Sequence, residues 1–438
     1  MRRTAFALLA SCLAAPALAA DLPAPASDAD FVVTRPEEVK LGQLLFYDPL
    51  LSGSKTVACA TCHHPRFGTS DGVSLGLGDG GIGLGPDRVP DPDNLPEQRI
   101  PRNAPALFNL GAREFTRMFH DGRLEADPDK PDGIRTPLGE EMVHGFSGVL
   151  SAQAMFPVVA PDEMAGHYGE SDISKAVRKG MFTGAGGAWD LIARRVEAVP
   201  EYRAAFDQVV GARPIAFTDV ANAIAAFIAF EWRADDSPFD RFLRERTPLP
   251  PKAMKGMELF YGAAGCARCH SGVFQTDQDF HAIAMPQIGP GKTERFESGH
   301  FDHGRFRVTG REGDIYRFRT PSLRNVTLTA PYGHDGAYAS LEAVVRHHLD
   351  PVRALSSYDP SQAILPPLDS ARESDFAVLA DPREMAAIAE ANELAPTALT
   401  EDDIDALLAF LESLTDPSSR TGRLGIPDRV PSGLPVPR

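Results

Sequence analysis

Cysteine, tryptophan, long apolar runs and positive charge are all in short supply in this chain. Its 438 residues hold five cysteines, one of them (Cys12) in the first twenty residues. The four left could form at most two disulfides. Tryptophan is limited to Trp189 and Trp232. Past the N-terminus no apolar run reaches the roughly 18–20 residues of a membrane span, so none is expected. Lys and Arg number 44 against 60 Asp and Glu, a formal net charge of −16. That balance argues against nucleic acid and anionic membrane surfaces as partners, and is compatible with docking a basic protein. Strand-like runs are few while Gly and Pro number 38 each, so the expected fold is mainly α with long loops. With 43% hydrophobic and 24% charged residues the composition is that of a globular protein of two or three domains.

The first twenty residues read MRRTAFALLASCLAAPALAA: two arginines, a short apolar stretch and a small-residue ending. This pattern predicts a secretory signal cleaved near Ala19 or Ala20, and hence a periplasmic protein beginning at Asp21. Leu9-Ala10-Ser11-Cys12 also resembles a lipoprotein cleavage box, but the apolar core ahead of Cys12 is very short, which disfavours anchoring there.

The remaining cysteines occur as Cys59-Ala-Thr-Cys62-His63 and Cys266-Ala-Arg-Cys269-His270. A disulfide framework has no need of a histidine behind each second cysteine. Covalent haem c does: two thiols bond the vinyl groups and the adjacent imidazole coordinates iron. Two such units, with no cysteine over, predict two covalently bound haems.

Both units sit in similar surroundings. EEVKLGQLLFYDPLLSGSKTVACATCH leads into the first and PPKAMKGMELFYGAAGCARCH into the second. Each has a helical apolar period ending in Leu-Phe-Tyr or Leu-Leu-Phe-Tyr. After each comes an exit helix, expected at 218–233 and 400–416, the latter capped by Thr400 with Ile404, Leu407, Leu408, Leu411 and Leu414 on one face. The expected plan is therefore a signal peptide at 1–20, cytochrome c-like domains at 21–245 and 246–416, and a C-terminal tail at 417–438. The linker is placed near SPFDRFLRERTPLPPK. Residues 74–102, 124–150 and 351–397 look like insertions, the last with a helix near DPREMAAIAEANEL.

Carrying LGQLLFYDPLLS, CATCHHP, PRNAPALFNL, FHDGR, CARCH, TPSLRNVTLTAPYGHDG and ALLAFLESLTD, the chain resembles the bacterial di-haem cytochrome c peroxidases and their MauG-type relatives. The resemblance implies one peroxidatic haem, with proximal ligand His63, and one electron-transfer haem, with proximal ligand His270. It makes Glu163 the acid–base and Gln153 the residue orienting peroxide, since they stand ten apart as the family's pair does. It implies a Ca²⁺ ion held by Asn103, Thr329 and Pro331; the residue-level alternative is that Asn103 braces a turn. Hydrogen peroxide would be the substrate, a small cytochrome c or cupredoxin the electron donor, and a homodimer an assembly seen among relatives.

Three positions depart from the family pattern. Leu77 stands where a loop histidine caps the peroxidatic haem in the peroxidase branch, implying an open iron at rest, a MauG-type trait. His348, nineteen residues past Thr329, stands where the peroxidase branch has methionine and MauG-type proteins have tyrosine, implying a bis-imidazole haem; His347 and Met285 are the alternatives. His120 replaces the tryptophan between the haems. The other histidines, His64, His144, His167, His281, His300 and His303, read as loop or surface residues. The function expected is reduction of hydrogen peroxide, with MauG-type oxidation of a partner protein's residues as the second reading.

Overall fold

The computed structural model describes residues 22–167, 169–292 and 299–438; the expected signal at 1–20, Cys12 included, lies outside them. The fold is mainly helical, with two small two-stranded antiparallel sheets and a three-stranded antiparallel sheet among the described residues.

Two helix pairs organise it. In the first, α1 (Pro36–Phe46) starts on a proline with Glu37 and Glu38 in its first turn, which suits the positive end of the helix dipole. It lies against the long exit helix, α4 (Phe217–Glu231). Between them in sequence come α2 (Val149–Ala154) and α3 (Ala188–Glu197). In the second pair, α5 (Pro251–Tyr261) lies against α7 (Glu401–Ser413), with α6 (Leu341–Leu349) leading towards it.

The pairs are built alike. A Cβ on Gly42 would sit 1.8 Å from the Ala223 carbonyl oxygen and 2.8 Å from Phe227 Cβ; a Cβ on Gly256 would sit 1.9 Å from the Ala406 carbonyl oxygen and 2.9 Å from Phe410 Cβ. Only hydrogen fits at either crossing, so entry and exit helices touch backbone to backbone. Four residues on, Phe46 packs on Phe227 at 5.3 Å between centroids, and Phe260 on Phe410 at 5.1 Å. The repeat first seen as Leu-Phe-Tyr is thus a repeat of packing.

Helix ends fall close to expectation. The expected exit helices, 218–233 and 400–416, form over Phe217–Glu231 and Glu401–Ser413. Thr400 caps α7 in a capping box: Asp403 N donates to Thr400 Oγ1 and the Asp403 carboxylate accepts from Thr400 N at 3.1 Å. Leu414 lies past the helix end yet is buried.

The residues read as a linker differ from expectation. Pro238–Glu245 is a helix capped by Ser237, and its Phe239 packs edge-on against Phe410 at 5.2 Å in the second core. The reason is apolar content: Phe239, Phe242 and Leu243 sit at helical spacing and find a core to enter. The insertions are also more ordered than a loop reading implies. Gly81–Ile82 pairs with Val89–Pro90, and Arg117–Met118, Leu124–Ala126 and Ile134–Arg135 form the three-stranded sheet. The final segment returns to the first unit. Glu231 accepts from the amides of Leu424 and Gly425, Asp48 from the Ser432 hydroxyl, and Val430 is buried in the first core.

Candidate active site

Each Cys-x-x-Cys-His unit makes a short helical turn that presents its histidine. Cys59–Cys62 is one turn, and His63 Nδ1 donates to the Thr69 carbonyl at 3.0 Å. In the second unit, His270 Nδ1 donates to the Gln275 carbonyl at 3.3 Å. In both, the bond fixes the tautomer and leaves Nε2 as the lone-pair nitrogen, the arrangement of a metal-ligating imidazole. Burial keeps both rings neutral, lowering His63 and bringing His270 down to about 4, with His348 adding to the latter. The four cysteines are unpaired, and burial pushes the thiols of Cys59 and Cys62 up to about 12. The two sulfurs of each unit stand beside its histidine and are not joined to one another as disulfides.

Opposite His270 stands His348, in the last turn of α6. The two ring centroids are 6.4 Å apart. An imidazole nitrogen binds a first-row metal at about 2 Å, so two rings trans on one ion have centroids about 6 Å apart. His348 Nδ1 donates to the Val344 carbonyl one turn back at 2.7 Å, leaving its Nε2 free as well. His347 is engaged at both nitrogens: Nε2 donates to the Ile283 carbonyl at 2.7 Å and Nδ1 accepts from the Tyr338 hydroxyl at 2.9 Å. Met285 sits in the second core with its sulfur 3.2 Å from where a Cβ on Gly333 would lie. The donor set around His270 and His348 fits a haem iron saturated by two imidazoles.

The first unit has a different far side. A cavity of about 260 Å³ is lined by Gln153, Glu163, Arg123 and Lys292, with apolar walls that include Phe119 and Trp189. Gln153 comes from α2, and Glu163 from a single wide turn at Pro161–Ala165. Gln153 Oε1 is shut off from solvent with no hydrogen bond among the described residues, so it is available to a small polar ligand. Burial raises the Glu163 carboxyl, against the pull of Lys292 and Arg123, and Glu163 is near enough to act on Cys62. Lys292 moves the other way, to about 8, through burial and the neighbouring arginines. Carboxyl and amide therefore share one cavity, which Cys59, Cys62 and His63 do not themselves line; two thiols, an imidazole and a polar cavity nearby are residues of the kind that a covalently held haem requires. Sequence reasoning missed Lys292, since a lone lysine in a glycine-rich loop carries no signal.

Leu77 is fully buried. It packs on Leu368 and Ala371 from the 351–397 insertion, and its carbonyl accepts from Arg88, which also binds the carbonyls of Gly78 and Gly83. A Cβ on Gly78 would fall 2.1 Å from the Asp162 carbonyl oxygen, so this loop lies directly on the Glu163 turn. His120 is half-buried, its Nδ1 shut off from solvent without a hydrogen bond among the described residues, and desolvation, Arg102 and His334 hold it neutral. Beside it Arg102 pairs with Asp121 at 2.8 Å and with Asp302 at 2.6 Å.

Asn103 Nδ2 donates to the Val73 carbonyl at 2.8 Å, and a Cβ on Gly336 would lie 3.0 Å from that nitrogen and 3.1 Å from Pro331 Cγ. Asn103 and Pro331 both flank Gly336, and Thr329 is close by in the chain with its hydroxyl donating to the Val326 carbonyl at 3.1 Å. A calcium ion here would need the Asn103 side-chain oxygen and the Thr329 and Pro331 carbonyls as ligands, and the contacts above involve the Asn103 amide nitrogen and a Pro331 ring carbon instead. Two histidines depart from the surface reading. His64 is buried, and His167 has both ring nitrogens shut off from solvent. His281 stays partly exposed, 3.0 Å from both Asp277 and Glu393.

Comparison with known proteins bears on the family and the fold. The family profile described as di-haem cytochrome c peroxidase matches residues 36–248. Methylamine utilization protein MauG of Methylorubrum extorquens is 32% identical over 316 residues, covering 72% of this chain and 69% of that one. Cytochrome c551 peroxidase of Pseudomonas aeruginosa is 30% identical, covering 70% of each chain. A solved structure of a MauG-like protein associated with microbial copper homeostasis superposes with a TM-score of 0.56 at 26% identity, over 94% of this chain and 97% of that one.

Proposed function

The chain belongs to the di-haem cytochrome c peroxidase family, and from that premise we propose that it reduces hydrogen peroxide to water at the His63 site with electrons relayed from the His270–His348 site. It is an oxidoreductase of the cytochrome c peroxidase type, and membership implies two haem c groups. The observation that carries the proposal is the meeting of Glu163 and the unpartnered Gln153 Oε1 on one cavity.

The haems would supply the redox change, one held by Cys59, Cys62 and His63 and the other by Cys266, Cys269, His270 and His348. The chain's own residues do the rest. Gln153 orients peroxide. Glu163 takes the proton from one peroxide oxygen and returns it to the other, so that the bond between them can break; two electrons and two protons then balance H₂O₂ to two waters. A carboxyl raised by burial is suited to both halves of that transfer near neutral pH. With His348 as a second ligand opposite His270, the second haem would have no open position for peroxide and would serve electron transfer. Asn103, Thr329 and Pro331 would hold Ca²⁺ where the two units meet.

The electron donor is a small cytochrome c or cupredoxin in the periplasm, reached after removal of the signal at 1–20. Stopped-flow turnover of hydrogen peroxide with reduced cytochrome c tests the proposal; consumption no faster than free haem would end it. The MauG-type reading draws on Leu77, whose buried aliphatic side chain fills the loop position of a capping histidine. Its mark is a persistent doubly oxidised state after peroxide addition, and rapid decay of that state would leave peroxide reduction alone.

A further inference from the structure

Asp79, His167 and Glu170 stand apart from every residue given a role above. Asp79 lies two residues past Leu77, and His167 and Glu170 follow the Glu163 turn. One carboxylate oxygen from each acid and a ring nitrogen of His167 all lie within 4.8 Å of one another. The convergence is visible at Gly166, where a Cβ would fall 2.6 Å from Glu170 Oε2 and 3.0 Å from Asp79 Oδ2. Asp79 is buried, His167 half-buried and Glu170 exposed.

The imidazole is what distinguishes this group from an ordinary acidic cluster. Both its ring nitrogens are closed to solvent, and neither makes a hydrogen bond among the described residues. An imidazole with both nitrogens closed to solvent beside two carboxylates would normally donate to one of them, yet here Nδ1 comes no nearer than 3.5 Å to its closest ion-pair partner, Glu97. The outer partners are those of a built site. Ser54 donates its hydroxyl to Asp79, Asn94 Nδ2 donates to Asp79 at 3.3 Å, and Glu97 stands behind the imidazole. Carboxylates and amides of this kind orient metal ligands.

We propose that Asp79, His167 and Glu170 bind a divalent first-row transition ion that ties the Leu77 loop to the segment following Glu163. One imidazole with two carboxylates suits Zn²⁺ or its neighbours, whereas Ca²⁺ favours an all-oxygen set. Ligand distances of about 2.0–2.2 Å require only a small inward movement of the three side chains. The ion would fix the wall of the peroxide cavity from behind without entering it. The site does not depend on the peroxide reading.

The test is zinc titration of the haem-loaded protein in excess calcium, read by equilibrium dialysis with metal analysis. The wild type should retain a single zinc ion that calcium does not displace. Asp79→Asn and His167→Ala should each weaken binding by at least the roughly 10–100-fold that loss of an outer partner costs, with haem spectra unchanged. His144→Ala, at an exposed histidine 3.3 Å from Asp132, should bind as wild type does. Failure of the wild type to hold zinc, or equal binding by all three variants, would overturn the assignment.

Discussion

His270 and His348 face each other with ring centroids 6.4 Å apart, while His347, the next residue along, has both nitrogens already bonded. Adjacent histidines in one helix turn thus have opposite fates, set by which way each points. Replacing His348 by methionine should raise the potential of the second haem, since a thioether favours ferrous iron. A redox titration together with low-temperature electron paramagnetic resonance would show the change. Spectra and potential identical to wild type would place the axial ligand elsewhere.

Glu163→Gln keeps the size and polarity of the side chain and removes its acid–base function. Both haems and the fold should survive, and reaction with peroxide should slow by roughly 10²–10⁴. Single-turnover mixing reads the rate directly, and an unchanged rate would strip Glu163 of its role.

The glycine crossings set two effects against each other. Alanine improves helix propensity by about 1 kcal/mol over glycine. At Gly256, however, its Cβ would need space 1.9 Å from a carbonyl oxygen of the neighbouring backbone, and separating the helices costs about 1–3 kcal/mol. Gly42→Ala and Gly256→Ala should therefore both lower the denaturant midpoint. A gain in either would show that the helices can part freely.

Acid should attack the junction between the units. Burial alone would push Asp121 and Asp302 up, but the Arg102 guanidinium, joined by Arg123 at Asp121, holds both carboxyls well below the usual range. Because the folded values lie below the unfolded value of about 4, this contribution is complete above that pH and lost as pH falls through the folded values. Arg102→Met should cost about 3–5 kcal/mol at neutral pH and flatten the acid limb of a stability profile. An acid limb as steep as wild type would assign it to other carboxyls.

Covalent chemistry and helical repetition were legible in the sequence because they are local. Cys-x-x-Cys-His needs five consecutive residues, and the Leu-Phe-Tyr endings and the Thr400 cap fall within one or two turns. What escaped is what distance in the chain hides. Phe239 joins the second core only because α7 brings Phe410 to it. Lys292 reaches the cavity from a loop about 130 residues beyond Glu163. His64 and His167 looked like surface residues because polarity is read from type, whereas burial is decided by neighbours contributed from elsewhere. Leu77 shows both sides: its identity excluded an iron ligand, but its packing on Leu368 rests on an insertion with no recognisable pattern.

The first haem-bearing half borrows its last interior side chain, Val430, from the far end of the chain, and its Asp48 and Glu231 are satisfied by groups from the same stretch. Folding of that half is therefore finished by sequence made long after its own Cys-x-x-Cys-His unit. Attachment at Cys59 and Cys62 can take place on an open half-protein, before the closing segment seals it. A chain stopped at the end of α7 would carry both attachment motifs and still leave the first half with a hole in its interior and two carboxylates short of partners.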